Sequence, residues 1–248
     1  MTSPSVLRHD ADGLCTLTLN RPDKLNALDT ESFETLNAHL ESLQSSSPTV
    51  GCVVLRGSGK AFCAGADLHA LGAPTDKPAT FKPMVIERLA RLPLPVVAAV
   101  HGVCFTGGLE LALACDFILA DATARFADTH GKWGLVSAWG MSQRLPRRIG
   151  VAAAKRMMFT GREVNAAAAQ EMGLVDLLVA AGELDKVLER FVDEVLANSW
   201  HTNAAIKRLM IETDGMPLAA ALAHEHYRYP GWAPDYRERI AAFRGSKT

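Results

Sequence analysis

Residues 99–116 read AVHGVCFTGGLELALACD. An apolar run over 94–100 leads in, and a bend with Gly102, Gly107 and Gly108 follows. Glu110 then stands in LELALA, an otherwise apolar stretch of good helix formers. A carboxylate is almost never buried unless something compensates it. A lone Glu just inside a helix, directly after Gly-Gly, is therefore a candidate catalytic group. Working outward, the same order of apolar strand, glycine bend and short helix occurs over 50–68. In each bend, glycines let backbone N–H groups point outward at a helix start, where anions and carbonyl oxygens are well received. Two such bends side by side supply two converging N–H donors, the geometry of an oxyanion hole.

The flanking sequence alternates strand and helix. Residues 14–19 (LCTLTL) alternate apolar side chains with Thr, as a strand does, and 20–23 carry turn chemistry. Asp29 caps a helix whose Phe33, Leu36, Leu40 and Leu43 recur at helical spacing, with Glu31 and Glu34 at its positive end and a stop over 45–48. A buried strand is expected over 50–55, an irregular and mobile stretch over 71–83, and a short helix over 84–92. Short strands follow over 117–119 and 124–127, while 128–139 fits no single template. Helices are expected over 142–149 and 151–159, the latter stopped by Gly161. Asn165 caps another that Gly173 ends, a last strand covers 174–179, and the chain is mainly helical from 184. This alternation predicts an α/β fold with a helical appendage. The expected division is a core over 1–190 and a C-terminal helical region over 191–248.

Composition excludes several classes of function. Of 248 residues, 48% are hydrophobic and 21% charged, ordinary for a globular chain with a real core. A net charge of −1 gives no electrostatic case for nucleic acid or an anionic membrane. The five cysteines form no CxxC pair and read as buried, reduced thiols. The N-terminus has no apolar signal core, and no apolar run approaches the ~20 residues needed to span a bilayer. A soluble, cytoplasmic protein is expected. No GxGxxG follows a strand and no GxxxxGK[ST] occurs, so nucleotide cofactors have no support. His224-x-His226 has partial metal spacing, but no acidic or cysteine partner is evident in the sequence, so it reads as a solvated helix face.

AFCAGADL over 61–68, together with AVHG and GGLELA within 99–116, resembles the paired motifs of the crotonase superfamily, that of enoyl-CoA hydratase and isomerase. NRP and LNAL over 20–28, QRLPR over 143–147, the segment 160–175 and IAAF over 240–243 are similar to further family segments in the same order. The resemblance implies a spiral of repeated ββα units, a C-terminal helical region packed between subunits, and a homotrimer or dimer of trimers. It implies an acyl-CoA thioester as ligand, with CoA entering as part of the substrate and no other cofactor or metal. By resemblance, the amides of Ala66 and Gly107 form the oxyanion hole. Lys24, Leu25, Ala27, Ala64, Gly65, Asp67, Leu68 and Gly108 border the substrate or its CoA, and Lys24 either touches the phosphates or is a solvated surface lysine. Trp133 and Trp139 stand where smaller residues are common, and either reshape the acyl pocket or are ordinary core aromatics. Lys207 and Arg208 either reach a CoA phosphate or form a solvated face.

Hydratases of this family use two glutamates. Glu110 matches the first, and the second belongs 20 residues on, where FADTH puts His130. Three readings fit this departure. Glu110 and His130 act as an acid/base pair in hydration or related double-bond chemistry. Alternatively, one acid/base group beside the oxyanion hole serves isomerisation, thioester hydrolysis or decarboxylation. In the third reading the fold binds acyl-CoA without chemistry. Asp128 is either an alternative acid or structural, and Asp67, Asp116 and His101 read as turn and cap residues.

Overall fold

A computed structural model describes residues 3–45 and 49–245, so most of the helix stop expected over 45–48 lies outside the described residues. The chain opens with an antiparallel hairpin, β1 (Val6–Ala11) and β2 (Leu14–Leu19). Helix α1 (Thr30–Ser45) follows, with the Ser32 amide donating to Asp29 Oδ1 at 2.8 Å as the expected cap.

From there the backbone repeats one unit: a strand in a large sheet, a short strand or bridge in a second sheet, then a helix. The first turn is β3 (Cys52–Gly57), a bridge from Cys63 to Cys104, and α2 (Phe81–Ala90). The second is β4 (Val96–Val100), β5 (Val103–Phe105) and α3 (Gly107–Leu113). The third is β6 (Phe117–Asp121), β7 (Arg125–Ala127), α4 (Met141–Ile149) and α5 (Val151–Thr160). Then come β8 (Val164–Asn165), α6 (Ala166–Glu171) and β9 (Leu177–Val179). The large sheet runs β1-β2-β3-β4-β6-β9, parallel after the hairpin, and the small one runs β5-β7-β8. This is the α/β spiral of ββα units.

The central strand β4, VVAAV, is buried at every position. That is why it reads as a continuous apolar run rather than an alternation. On one face, Val53, Leu55, Val96 and Ala98 join a core with Phe33, Leu36, Leu40 and Leu89 from α1 and α2. On the other, Cys52, Val54, Val97, Ala99 and Leu119 are covered by Leu184, Leu188 and Val192 of α7 (Leu184–Ala197). Helix α7 thus crosses position 190 while packed on the sheet. Burial pushes the Cys15, Cys52 and Cys63 thiols up to about 12, and all five cysteines are buried and free.

The remaining helices are α8 (Trp200–Thr213), α9 (Leu218–Tyr227) and α10 (Tyr236–Gly245); α9 and α10 bury no residue. Helix α8 is tied to the sheet by buried Lys207. Its Nζ donates to Asp116 Oδ2 at 2.7 Å and to the Leu94 carbonyl at 2.8 Å. That ammonium is an internal fastening, not a free phosphate ligand, and Arg208 lies 3.8 Å from Glu212 on the same helix. No helix among the described residues is long and apolar enough to cross a membrane.

Candidate active site

The two glycine bends meet because short ladders hold them together. The Cys63 amide donates to the Val103 carbonyl at 2.9 Å, and the Phe105 amide donates to the Cys63 carbonyl at 3.0 Å. This brings residues 63–66 along β5 to the start of α3. A Cβ added to Gly65 would stand 3.2 Å from the Gly107 nitrogen, and one on Gly107 would stand 3.3 Å from the Ala66 nitrogen. The amides of Ala66 and Gly107 are therefore neighbours, and neither donates to a backbone acceptor among the described residues. Gly108 lets the strands close, since its Cβ would fall 2.3 Å from the Cys63 carbonyl oxygen.

Thr106, just before Gly107, has φ 52° and ψ −113°, a region β-branched residues avoid. Three bonds hold it there. Its amide donates to the Ala127 carbonyl at 2.8 Å, its carbonyl accepts from the Glu110 amide at 2.9 Å, and its hydroxyl meets that of Thr129 at 2.7 Å. The strained turn aims the Gly107 amide out of the helix start.

Asn26 fixes the loop from below. It is buried at φ 56°, and its Nδ2 donates to the carbonyls of Ser58 (2.9 Å) and Ala61 (2.7 Å) while Oδ1 accepts from the Arg21 amide (2.9 Å). The N-terminal turn is thereby stitched to the loop that carries Ala66. Asn26→Asp keeps the shape but sets a carboxylate oxygen against two carbonyls. It is expected to cost about 2–4 kcal/mol, read as a lower midpoint in urea unfolding.

Glu110 lies on α3 and is 1% exposed. Its Oε1 accepts from the amides of Trp139 (2.8 Å) and Met141 (3.0 Å). Met141 is the first residue of α4, so the carboxylate caps that helix from another element and faces its positive end. Oε2 has no hydrogen-bond partner among the described residues. Burial raises the Glu110 pKa, and the two amides and the nearby His130 offset this only in part.

His130 opens a single 3-10 turn, His130–Trp133, after β7, and its Nε2 lies 3.7 Å from Glu110 Oε2. Its Nδ1 is 2.6 Å from Oδ1 of buried Asp128, and its own amide donates to the same oxygen at 3.1 Å. Burial alone would lower the imidazole pKa; the Asp128 hydrogen bond and the two carboxylates outweigh it and raise the value. Glu110 and His130, expected as a pair, are thus within reach of one water or one substrate carbon.

Trp139 packs against the start of α3. Its Cζ3 would touch a Cβ on Gly107 at 2.4 Å, and its ring meets Phe33 edge-on at 4.8 Å. Trp133 closes the same turn that His130 opens and is 58% exposed. Leu25 and Ala64 are joined backbone to backbone at 2.9 Å, with Ala27 beside them and exposed Lys24 in the turn before. The Asp67 carboxylate is taken by Arg21 (3.0 Å) and by the His69 amide (3.1 Å), as a cap of the turn that starts at exposed Leu68. His101 Nε2 sits 2.9 Å from the Gly59 carbonyl oxygen, a turn contact, and the Val96 amide donates to Asp116 at 2.7 Å. His224 does have an acidic partner, its Nε2 lying 2.7 Å from Glu212 Oε2, but no cluster fit to hold a metal ion occurs among the described residues.

Sequence reasoning left three parts of this site unseen: the two amides that hold Glu110, the Asn26 stitch, and the strained Thr106. Only Asp128-x-His130 left a local trace, since Asp accepting from the amide two residues on is ordinary turn chemistry.

Residues 9–230 match the family model for enoyl-CoA hydratase/isomerase. The 1,2-epoxyphenylacetyl-CoA isomerase of Escherichia coli is 32% identical over 96% of this chain and 94% of its own length. The crystal structure of an enoyl-CoA hydratase from Bacillus anthracis superposes with TM-score 0.91 at 30% identity, covering 98% of this chain and 96% of that one. A Thermobifida fusca protein solved in complex with acetoacetyl-CoA gives TM-score 0.81 at 26% identity, over 90% and 92% of the two chains.

Proposed function

The chain belongs to the enoyl-CoA hydratase/isomerase family, acyl-CoA-processing enzymes, and from that premise we propose that it adds water across the 2,3 double bond of an enoyl-CoA. The observation that carries this reading is the pair of facing atoms, Glu110 Oε2 and His130 Nε2, 3.7 Å apart at the site whose two bends carry the Ala66 and Gly107 amides. Hydration needs a base for water and an acid for carbon within one small volume.

The thioester carbonyl accepts hydrogen bonds from the Ala66 and Gly107 amides. The Glu110 carboxylate takes a proton from water as its oxygen bonds to C3. The π electrons shift toward C2 and the carbonyl oxygen, giving an enolate whose charge the two amides stabilise. The His130 imidazolium then donates its Nε2 proton to C2. A proton crossing from Glu110 back to His130 restores the pair. CoA itself lies along Lys24, Leu25, Ala27, Ala64, Gly65 and Leu68, and the reaction uses no cofactor beyond the CoA of its substrate. The enzyme works in the cytoplasm. The exposed apolar side chains Leu218, Leu222, Tyr227 and Trp232 suit the 191–248 region to assembling a homotrimer or a dimer of trimers.

The test is loss of the enoyl-thioester absorbance on mixing with crotonyl-CoA. Turnover is expected in the wild type, and His130→Ala is expected to lower kcat by about 10–10²-fold. A protein inert toward crotonyl-CoA that converts 3-enoyl-CoA to 2-enoyl-CoA would move the assignment to isomerisation.

A further inference from the structure

The hydration reading gives Asp128 no part, yet this carboxylate is 2% exposed and makes two bonds to one residue. A buried carboxylate is costly unless its partners compensate it, and the partners here are the imidazole Nδ1 and the backbone amide of His130. We infer that Asp128 is a positioning residue, holding the proton of His130 on Nδ1 and turning a charged Nε2–H toward Glu110. The inference rests on the hydration reading for its kinetic consequences, but its structural core concerns His130 alone.

The geometry leaves little freedom. Asp128 Oδ1 is 2.6 Å from Nδ1, so the donor in that bond is the ring, because an ionised carboxylate only accepts. The amide of His130 bonds the same oxygen and ties ring and backbone to one point. With Nδ1 occupied, Nε2 is left for the reacting side, 3.7 Å from Glu110 Oε2. Thr129, between the two residues, supports the arrangement: its hydroxyl is bonded to that of strained Thr106, the residue just before Gly107. The acid and the oxyanion donor thus share one support.

Two carboxylates face the ring, Asp128 from the end of β7 and Glu110 from α3. Of the other charged groups, Lys132 is in the same turn and Lys155 and Arg156 are on α5, which packs against that turn; all three are exposed. Removing the Asp128 charge therefore removes one of two anions that favour the imidazolium. The imidazolium should then be lost at lower pH, which moves the alkaline limb of the kcat profile down.

The experiment compares wild type with Asp128→Asn, a substitution that keeps an acceptor oxygen in place and deletes only the charge. The readouts are nitrogen NMR of the His130 ring, assigned by difference from His130→Gln, and the pH dependence of crotonyl-CoA hydration. Expected is a fall of about one pH unit or more in the His130 titration and in the alkaline limb, with kcat at neutral pH down about 10-fold and KM changed less than twofold. A merely structural Asp128 would leave the titration where it was, and that result overturns the inference. Should Asp128→Asn fail to fold, the wild-type spectrum decides alone: the ring must keep its Nδ1 proton and lose that of Nε2 on titration, and the reverse order sinks the idea. If the wild type does not hydrate enoyl-CoA while the His130 titration still falls in the variant, the hydration reading fails and the role of Asp128 stands.

Discussion

Glu110→Gln is expected to lower kcat for crotonyl-CoA hydration by at least about 10²-fold, with KM nearly unchanged and the fold intact. Each part of that expectation has its own cause. Gln keeps the volume of Glu and an oxygen in the Oε1 position, so the amides of Trp139 and Met141 retain their acceptor and α4 keeps its cap. The amide nitrogen replaces Oε2, which has no hydrogen-bond partner among the described residues. A donor there cannot take a proton from water, so the loss falls on the chemical step rather than on binding.

Stability should move the other way. The Glu110 pKa is raised by burial in the folded chain. The folded state thus holds the proton more tightly than the unfolded one. Its contribution is fully present below the unfolded pKa and is lost as pH rises through the folded pKa. At neutral pH the charged form is therefore a cost to folding, and a neutral Gln removes it. Thermal unfolding of the variant at pH 7 should occur at or above the wild-type midpoint. A variant that is both inactive and less stable would mean that Glu110 is structural, and turnover near wild type would remove it from the mechanism.

How far the sequence could be read follows from the range of the forces involved. Helix α1, its Asp29 cap and strand β2 announce themselves through local periodicity and hydrogen bonding. Strand β1, VLRHDA, does not, because it lies at the sheet edge with most of its length exposed and carries charges instead of an apolar alternation. Strand β5 is only three residues between glycine turns, and its existence depends on β7, whose paired residues lie 22 positions on, so the sequence reads there as a bend. Helix α2 starts at Phe81, earlier than its apolar spacing suggests, because Pro83 is tolerated in a first turn. The stretch 128–139 fits no template since its shape is imposed from outside: Asp128 folds back on His130, and Glu110 captures the Trp139 amide from 29 residues away. The parts of the site that could be anticipated are those a glycine or a lone charge marks. The parts that could not are amides and carbonyls, which every residue carries.

Gly107→Ala is expected to lower kcat/KM by about 10²–10³-fold, as large as the loss of one oxyanion-hole donor, because its methyl group blocks the pair of amides although the amide itself remains. The backbone does not require glycine here, since Gly107 is not among the residues with positive φ and opens a helix that Ala would favour. The reason for glycine is space. A Cβ would lie 2.4 Å from Trp139 Cζ3 and 3.3 Å from the Ala66 nitrogen, in the gap between the two amides where a thioester oxygen would sit. Relief needs movement of the indole or of the helix start. Displacing the indole has a second consequence, because the Trp139 amide also holds Glu110 Oε1. Two causes of lost activity therefore compete: a blocked pair of amides, and a Glu110 carboxylate set loose. The double variant Gly107→Ala/Trp139→Ala separates them. It removes the clash with the ring but leaves the methyl group beside the Ala66 amide, and the Trp139 amide survives as a donor to Glu110. If the methyl group blocks the oxyanion position, the double variant stays as impaired as Gly107→Ala. Recovery to within a few-fold of Trp139→Ala alone would place the damage at the indole rather than at the methyl group beside the two amides. Overpacking of this kind costs about 1–3 kcal/mol, so the urea midpoint of the single variant should fall and that of the double should not fall further on this account. Activity and stability would then respond differently to the same pair of changes, as expected if the methyl group acts on the oxyanion position itself.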